Sequence, residues 1–141
     1  MEVKQSVRLP APVADVWKRI GGFNALPDWH PMVEKSELAK GGTVRTLTLP
    51  GGAKIVEELE DKDDQSHRYS YSITDSPLPV ADYHASIEVH QEGDESVVEW
   101  ESRFEPKGAS ADDAQKAIRN IFETGFENLK TMFGAFGASS S

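Results

Sequence analysis

The chain has 141 residues, 38% of them hydrophobic and 28% charged, with no cysteine and 24 acidic against 15 basic residues. That size supports one core, so two full domains are not expected, and the lack of cysteine excludes disulfides, thiolate zinc sites and thiol nucleophiles. A formal charge of -9 repels phosphate backbones and anionic lipid heads, which counts against nucleic-acid and peripheral-membrane roles.

The opening Met1-Glu2-Val3-Lys4-Gln5 lacks the apolar run of a secretory signal, and no stretch approaches membrane-spanning length. The expectation is a cytoplasmic protein with a single domain over residues 1–134 and a disordered tail over 135–141. Val3, Gln5, Val7 and Leu9 share one side of a predicted strand over residues 2–9. Ala11-Pro12-Val13 then opens a helix, with Pro12 suited to its first turn. Val13, Val16, Trp17 and Ile20 recur at helical spacing, and Gly21-Gly22 stops the run. Residues 23–31 hold Pro27, Trp29, His30 and Pro31, and read as a loop or one short turn carrying a large aromatic. Two roles are open to Trp29 there: a lid at a cavity mouth, or a plug completing the small core under the first helix.

From Met32 to Pro106 the period becomes two. Arg45, Leu47 and Leu49 alternate with polar neighbours, Pro50-Gly51-Gly52 turns the chain, and Ile55, Glu57 and Leu59 follow. Asp61 to Ser66 reads as a polar turn. Beyond it Tyr69, Tyr71 and Ile73 share a face, as do Ala81, Tyr83, Ala85, Ile87 and Val89, and then Val98, Trp100, Ser102 and Phe104. This is the pattern of an antiparallel meander with one covered face. The cover is a C-terminal helix. Ser110 and Asp113 stand at capping-box spacing, and Ala114, Ile118, Ile121, Phe122, Phe126, Leu129 and Phe133 form an apolar stripe ending at Gly134.

The hairpin loop carries the sharpest inference. If Pro50-Gly51-Gly52 is the loop, Leu49 faces Ala53, Leu47 faces Ile55, and Arg45 faces Glu57, with all of them on the interior side. Two opposite charges on an apolar wall require pairing. They are either a structural ion pair or a polar anchor for a ligand. Tyr69, Tyr71, Tyr83 and Trp100 add four polar tips to the same face. Inner-face aromatics are commonly plain core, but a dry core rarely chooses all four, and a cavity holding water or a polar-tipped ligand accommodates them. Tyr71 and Tyr83 are the preferred ligand contacts, then Trp100. Gly125 interrupts the last helix either for close packing or to make room.

The order Ala11-Pro12-Val13, Val16-Trp17, Phe23, Trp29-His30-Pro31, Arg45, Glu57, Arg68-Tyr69-Ser70-Tyr71, Pro77-Leu78-Pro79-Val80, Tyr83, Trp100, Gly125 and Leu129 resembles the SRPBCC superfamily. That group comprises START-like and Bet v 1-like proteins, and the polyketide cyclase/dehydrase-like branch is most similar. The resemblance implies an α+β helix-grip fold, in which a seven-stranded antiparallel sheet surrounds a long C-terminal helix over a cavity. Phe126, where the branch often has Leu, implies a reshaped cavity. The resemblance implies no single reaction.

The expected function is binding of a small, mainly hydrophobic molecule with a polar end, through Arg45, Glu57, Tyr69, Tyr71, Tyr83, Trp100, Phe122, Phe126 and Trp29. A cyclase/dehydratase-like enzyme is the alternative, with Glu57 as acid or base, Arg45 stabilising an enolate, and Tyr71 or Tyr83 donating a proton. A protein-interaction role using the acidic stretch Glu57 to Asp64 is the third. No cofactor and no metal is expected: His84 and His90 lie six residues apart on an outward face, and no zinc or calcium motif occurs.

Overall fold

The computed structural model describes residues 1–134; the expected tail, 135–141, lies outside them. Seven strands form one antiparallel sheet: β1 (Glu2–Leu9), β2 (Lys35–Ala39), β3 (Val44–Thr48), β4 (Lys54–Asp63), β5 (Arg68–Asp75), β6 (Val80–Glu92) and β7 (Glu95–Pro106), in the order β1-β7-β6-β5-β4-β3-β2. Consecutive strands from β2 to β7 are neighbours, so each hairpin sets its own register. β1 closes the far side by pairing with β7, with Val3 opposite Ser102 and Val7 opposite Val98. The helices are α1 (Val13–Ile20), α2 (Leu26–Trp29) and α3 (Ala111–Met132).

Period-two burial gives the sheet its inner face. Tyr69, Tyr71, Ile87, Val98, Trp100 and Phe104 are buried there, and α3 covers them with Ala114, Ile118, Phe122, Phe126 and Leu129. Ser110 caps α3 by accepting from the Asp113 N–H at 3.1 Å. The Trp100 ring stacks on Phe122 with centroids 4.2 Å apart, which docks the helix against β7.

Several sequence expectations need adjustment. Pro12 precedes α1 and does not lie in its first turn, and it offers no side-chain cap. The Val13 N–H is met instead by Gln91 Oε1 from β6 at 3.0 Å. Trp17 is only partly buried, and its indole N–H bonds Asp64 Oδ1 at 3.0 Å. The polar turn starts later than expected: β4 continues through Asp61 to Asp63, and the reversal follows at Asp64 to His67. Asp63 accepts the N–H groups of Gln65 and Ser66 there. A bulge between Ala81 and His84, with Asp82 at φ 51°, shifts parity so that Val80, not Ala81, is buried alongside Tyr83.

Candidate ligand cavity

The β3–β4 hairpin builds the polar end of the interior. Leu49 N–H donates to Ala53 O at 2.8 Å, and Gly51 and Gly52 take φ values of 91° and 90°. Glycine adopts these without steric cost. The resulting register sets Leu47 opposite Ile55 and Arg45 opposite Glu57. Arg45 is fully buried and Glu57 is 5% exposed.

The Arg45 guanidinium closes on Glu57 through Oε1. Nε donates to Oε1 at 2.8 Å, and Nη2 lies 2.6 Å from the same atom without good hydrogen-bond alignment. Nη1 donates to the Phe23 carbonyl at 2.6 Å. Aromatic faces surround the cation, with its Cζ 4.2 Å from the Phe23 centroid, 5.0 Å from Tyr71 and 5.7 Å from Tyr69. Burial alone would lower the Arg45 pKa, but the Glu57 charge overrides it and the net shift is upward. Burial pushes the Glu57 carboxyl above its ordinary value, against the downward pull of Arg45.

In front of Glu57 lies a cavity of about 240 Å³ between sheet and α3. Its walls are mainly apolar, with Leu47, Ile55 and Leu78 on one side and Ala117 and Ile121 of α3 on the other. Glu57, Tyr71, Tyr83, Trp100 and His30 bring polar atoms from the interior, and Asn120 of α3 adds an amide from its exposed end. The Tyr71 hydroxyl oxygen accepts the Trp100 indole N–H at 3.0 Å. Burial raises the pKa of Tyr71 well above its ordinary value, and the neighbouring Tyr83 adds to the rise. Burial raises Tyr83 as well, with Glu57 second, while the nearby Ser102 and Tyr71 hydroxyls oppose the shift. Both rings therefore stay protonated and can donate. A broader hollow of about 430 Å³ on the outer face of the sheet is edged by Lys4, Glu60, Arg68, Glu101 and Arg103. Its mixed exposed charges lack the apolar lining of a small-molecule site.

A sequence family described as polyketide cyclase / dehydrase and lipid transport matches residues 1–134. The chain belongs to that family. XoxI from Bacillus cereus shares 37% identity at a TM-score of 0.91, over 94% of each chain. An uncharacterized protein from Bacillus thuringiensis is equally similar, at 37% identity and a TM-score of 0.91 over 94% of this chain and 98% of its own. A START superfamily protein from Mycobacterium smegmatis, at 12% identity, has a TM-score of 0.78 over 96% of this chain and 98% of its own, and shares the fold. Among curated proteins, none matches.

Against that family background, the expected site residues divide in two. Glu57, Tyr71, Tyr83 and Trp100 meet at the cavity. Arg45 and Tyr69 stand behind it, where Arg45 holds Glu57 and Tyr69 flanks the guanidinium. Phe122 and Phe126 pack on the Trp100 ring from α3 and are core. Trp29 is 1% exposed and packs 5.5 Å from Trp100, so it plugs the core beneath the cavity and is no lid.

His30 is the wall residue that strand parity could not reveal. Its Nε2 meets the Ile121 carbonyl at 2.7 Å, and Nδ1 accepts the Met32 N–H at 3.2 Å. Those partners place the ring proton on Nε2 and leave the imidazole neutral. Burial lowers its pKa accordingly, and the Ile121 bond opposes that shift. The acidic stretch Glu57 to Asp64 is not one surface, since Glu57 points inward while Glu58 and Glu60 point out. On the outer face Glu88, His90 and Glu99 bring ligand-type atoms within 4.8 Å of one another. His90 already bonds Glu99, and Lys4 Nζ lies 3.5 Å from Glu99, so this is a surface charge cluster.

Proposed function

We propose that the protein binds a small, mainly hydrophobic molecule with a polar end between the sheet and α3. The observation that carries this reading is the apolar cavity of about 240 Å³ with a buried carboxylate on its wall. Unpaired burial of such a charge would cost several kcal/mol; Arg45 pairs it from behind while the side chain borders the cavity. Drug-sized sites begin at about 300 Å³, so the ligand is small, on the order of one or two fused rings.

Native mass spectrometry of gently purified protein should reveal a bound small molecule, and an apolar fluorescent probe should be displaced by small aromatic compounds. Absence of both a copurified mass and displacement across a chemically diverse set refutes the reading. The family's polyketide cyclase / dehydrase description supports a second reading as an enzyme, and the raised pKa of Glu57 beside the cavity favours it. Glu57 would then exchange a proton with a bound carbonyl compound. Turnover that survives Glu57→Gln with a confirmed substrate removes that role.

A further inference from the structure

Resting on the binding reading above, we infer that the polar end of the ligand is a neutral hydroxyl, as in a phenol or alcohol, and not a carboxylate or a bare ether or ketone. The cavity surface decides this through the kinds of hydrogen-bonding atom it shows. Arg45 is the cation that would attract a carboxylate, yet it is fully buried and absent from the cavity wall. Its Nε and Nη2 are both turned to Glu57 Oε1, and its Nη1 to the Phe23 carbonyl. What reaches the cavity is the Glu57 side chain, whose hydrogen bond from the guanidinium is accepted by Oε1. The charge-assisted hydrogen bond from Nε and the adjacent guanidinium charge favour the ionised, accepting form of Glu57, against the burial that opposes it.

A second set of groups sits beside that acceptor. Tyr83 lines the cavity and feels the Glu57 charge. Tyr71 lines it too, with its oxygen accepting from Trp100 and its hydroxyl close to that of Tyr83, so the two phenols together offer a donor to the cavity. A hydroxyl matches both kinds of group, because it donates to Glu57 and accepts from a tyrosine. An ether or ketone can only accept and leaves the carboxylate oxygen unmatched in an apolar space, which is penalised. A carboxylate would place a second negative charge against Glu57 in a low-dielectric cavity, and like charges there repel strongly.

The test uses four probes with one hydrocarbon frame: naphthalene, a naphthol, its methyl ether and the matching naphthoic acid, titrated at neutral pH by calorimetry or probe displacement. The naphthol should bind about 10-fold or more tighter than the ether, in line with one charge-assisted hydrogen bond, and the naphthoate should bind weakest. In the double variant Arg45→Met with Glu57→Leu, which removes the pair together and avoids a stranded charge, naphthol and ether should bind within about 2-fold of each other. If the ether or the naphthoate equals or exceeds the naphthol in the unsubstituted protein, the hydroxyl preference is overturned while the cavity reading stands. An ether that binds as well as the naphthol would mean that Glu57 is itself a donor. If none of the four binds, naphthalene included, both the inference and the binding reading fail.

Discussion

A β-carbon at Gly125 would sit 2.8 Å from His30 Cδ2 and 2.9 Å from Trp29 Cζ3. The bare face of α3 at this point lets the imidazole reach the carbonyl of Ile121, one turn earlier on the same helix. Gly125 is therefore the contact point between α3 and the α2 segment, and His30 passes that contact on to the cavity wall.

Gly125→Ala tests this relationship with opposing effects. Alanine gains about 1 kcal/mol of helix propensity, but the new methyl meets two rings that are each 1% exposed and have little room to shift. Overpacking of this kind costs about 1–3 kcal/mol. Urea denaturation should show a net loss of about 1 kcal/mol or more, whereas a gain in stability would mean that α2 yields easily.

The Arg45–Glu57 pair predicts a strongly non-additive cycle. Arg45→Met alone or Glu57→Leu alone strands a buried charge and should cost about 3–5 kcal/mol. The double variant should recover most of that, retaining a deficit of about 1 kcal/mol for the Phe23 carbonyl that loses its donor. Additive losses across the two single variants would show that the charges do not depend on each other.

Acid should weaken the fold through His30. The unfolded side chain takes up its proton near pH 6.5, whereas the buried ring does so only at lower pH. Below about pH 6.5 the unfolded state thus holds more protons, so stability falls as pH drops, until the folded ring also protonates. Glu57, with its raised pKa, works in the opposite direction, since a folded-state carboxyl that protonates early favours the fold as pH drops. Comparing the pH slope of the unfolding free energy in the wild type and in His30→Gln isolates the histidine. The variant should have the shallower loss between about pH 6.5 and 5, and identical slopes would place the imidazole proton elsewhere.

Filling the cavity should abolish binding without harming the fold. Ala117 projects from α3 into the cavity wall and is only partly buried. Ala117→Trp should lower probe affinity by at least about 10-fold, while thermal stability stays within about 1 kcal/mol because the side chain enters existing space. Undiminished affinity would locate the probe outside this cavity.

The polar end of the site was legible in the sequence because a three-residue loop leaves little freedom of register. Pro50-Gly51-Gly52 aligned Arg45 with Glu57, and strand alternation aimed Tyr71, Tyr83 and Trp100 to the same side. Parity says which face a residue occupies but not how deep it lies, so Arg45 and Glu57 looked equivalent when only Glu57 reaches the cavity. β2 was illegible for a different reason. As an edge strand with exposed Lys35, Glu37, Leu38 and Ala39, it carries no alternation to read. The role of His30 depends on a backbone carbonyl 91 positions away, which no local pattern encodes. Gly125 was the available clue, since a glycine inside a buried helical stripe marks a close approach, although the neighbour is α2 and not the sheet.

The placement of the tryptophans gives the molecule an optical readout of its own interior. Trp100 forms part of the cavity wall and lies 5.5 Å from Trp29, while Trp17 is held by Asp64 on another part of the structure. A guest resting against the Trp100 indole changes the emission of that coupled pair and leaves Trp17 as a steady background. Intrinsic fluorescence can therefore follow filling of the site in unlabelled protein, and a Trp100→Phe variant should go dark to the same titration.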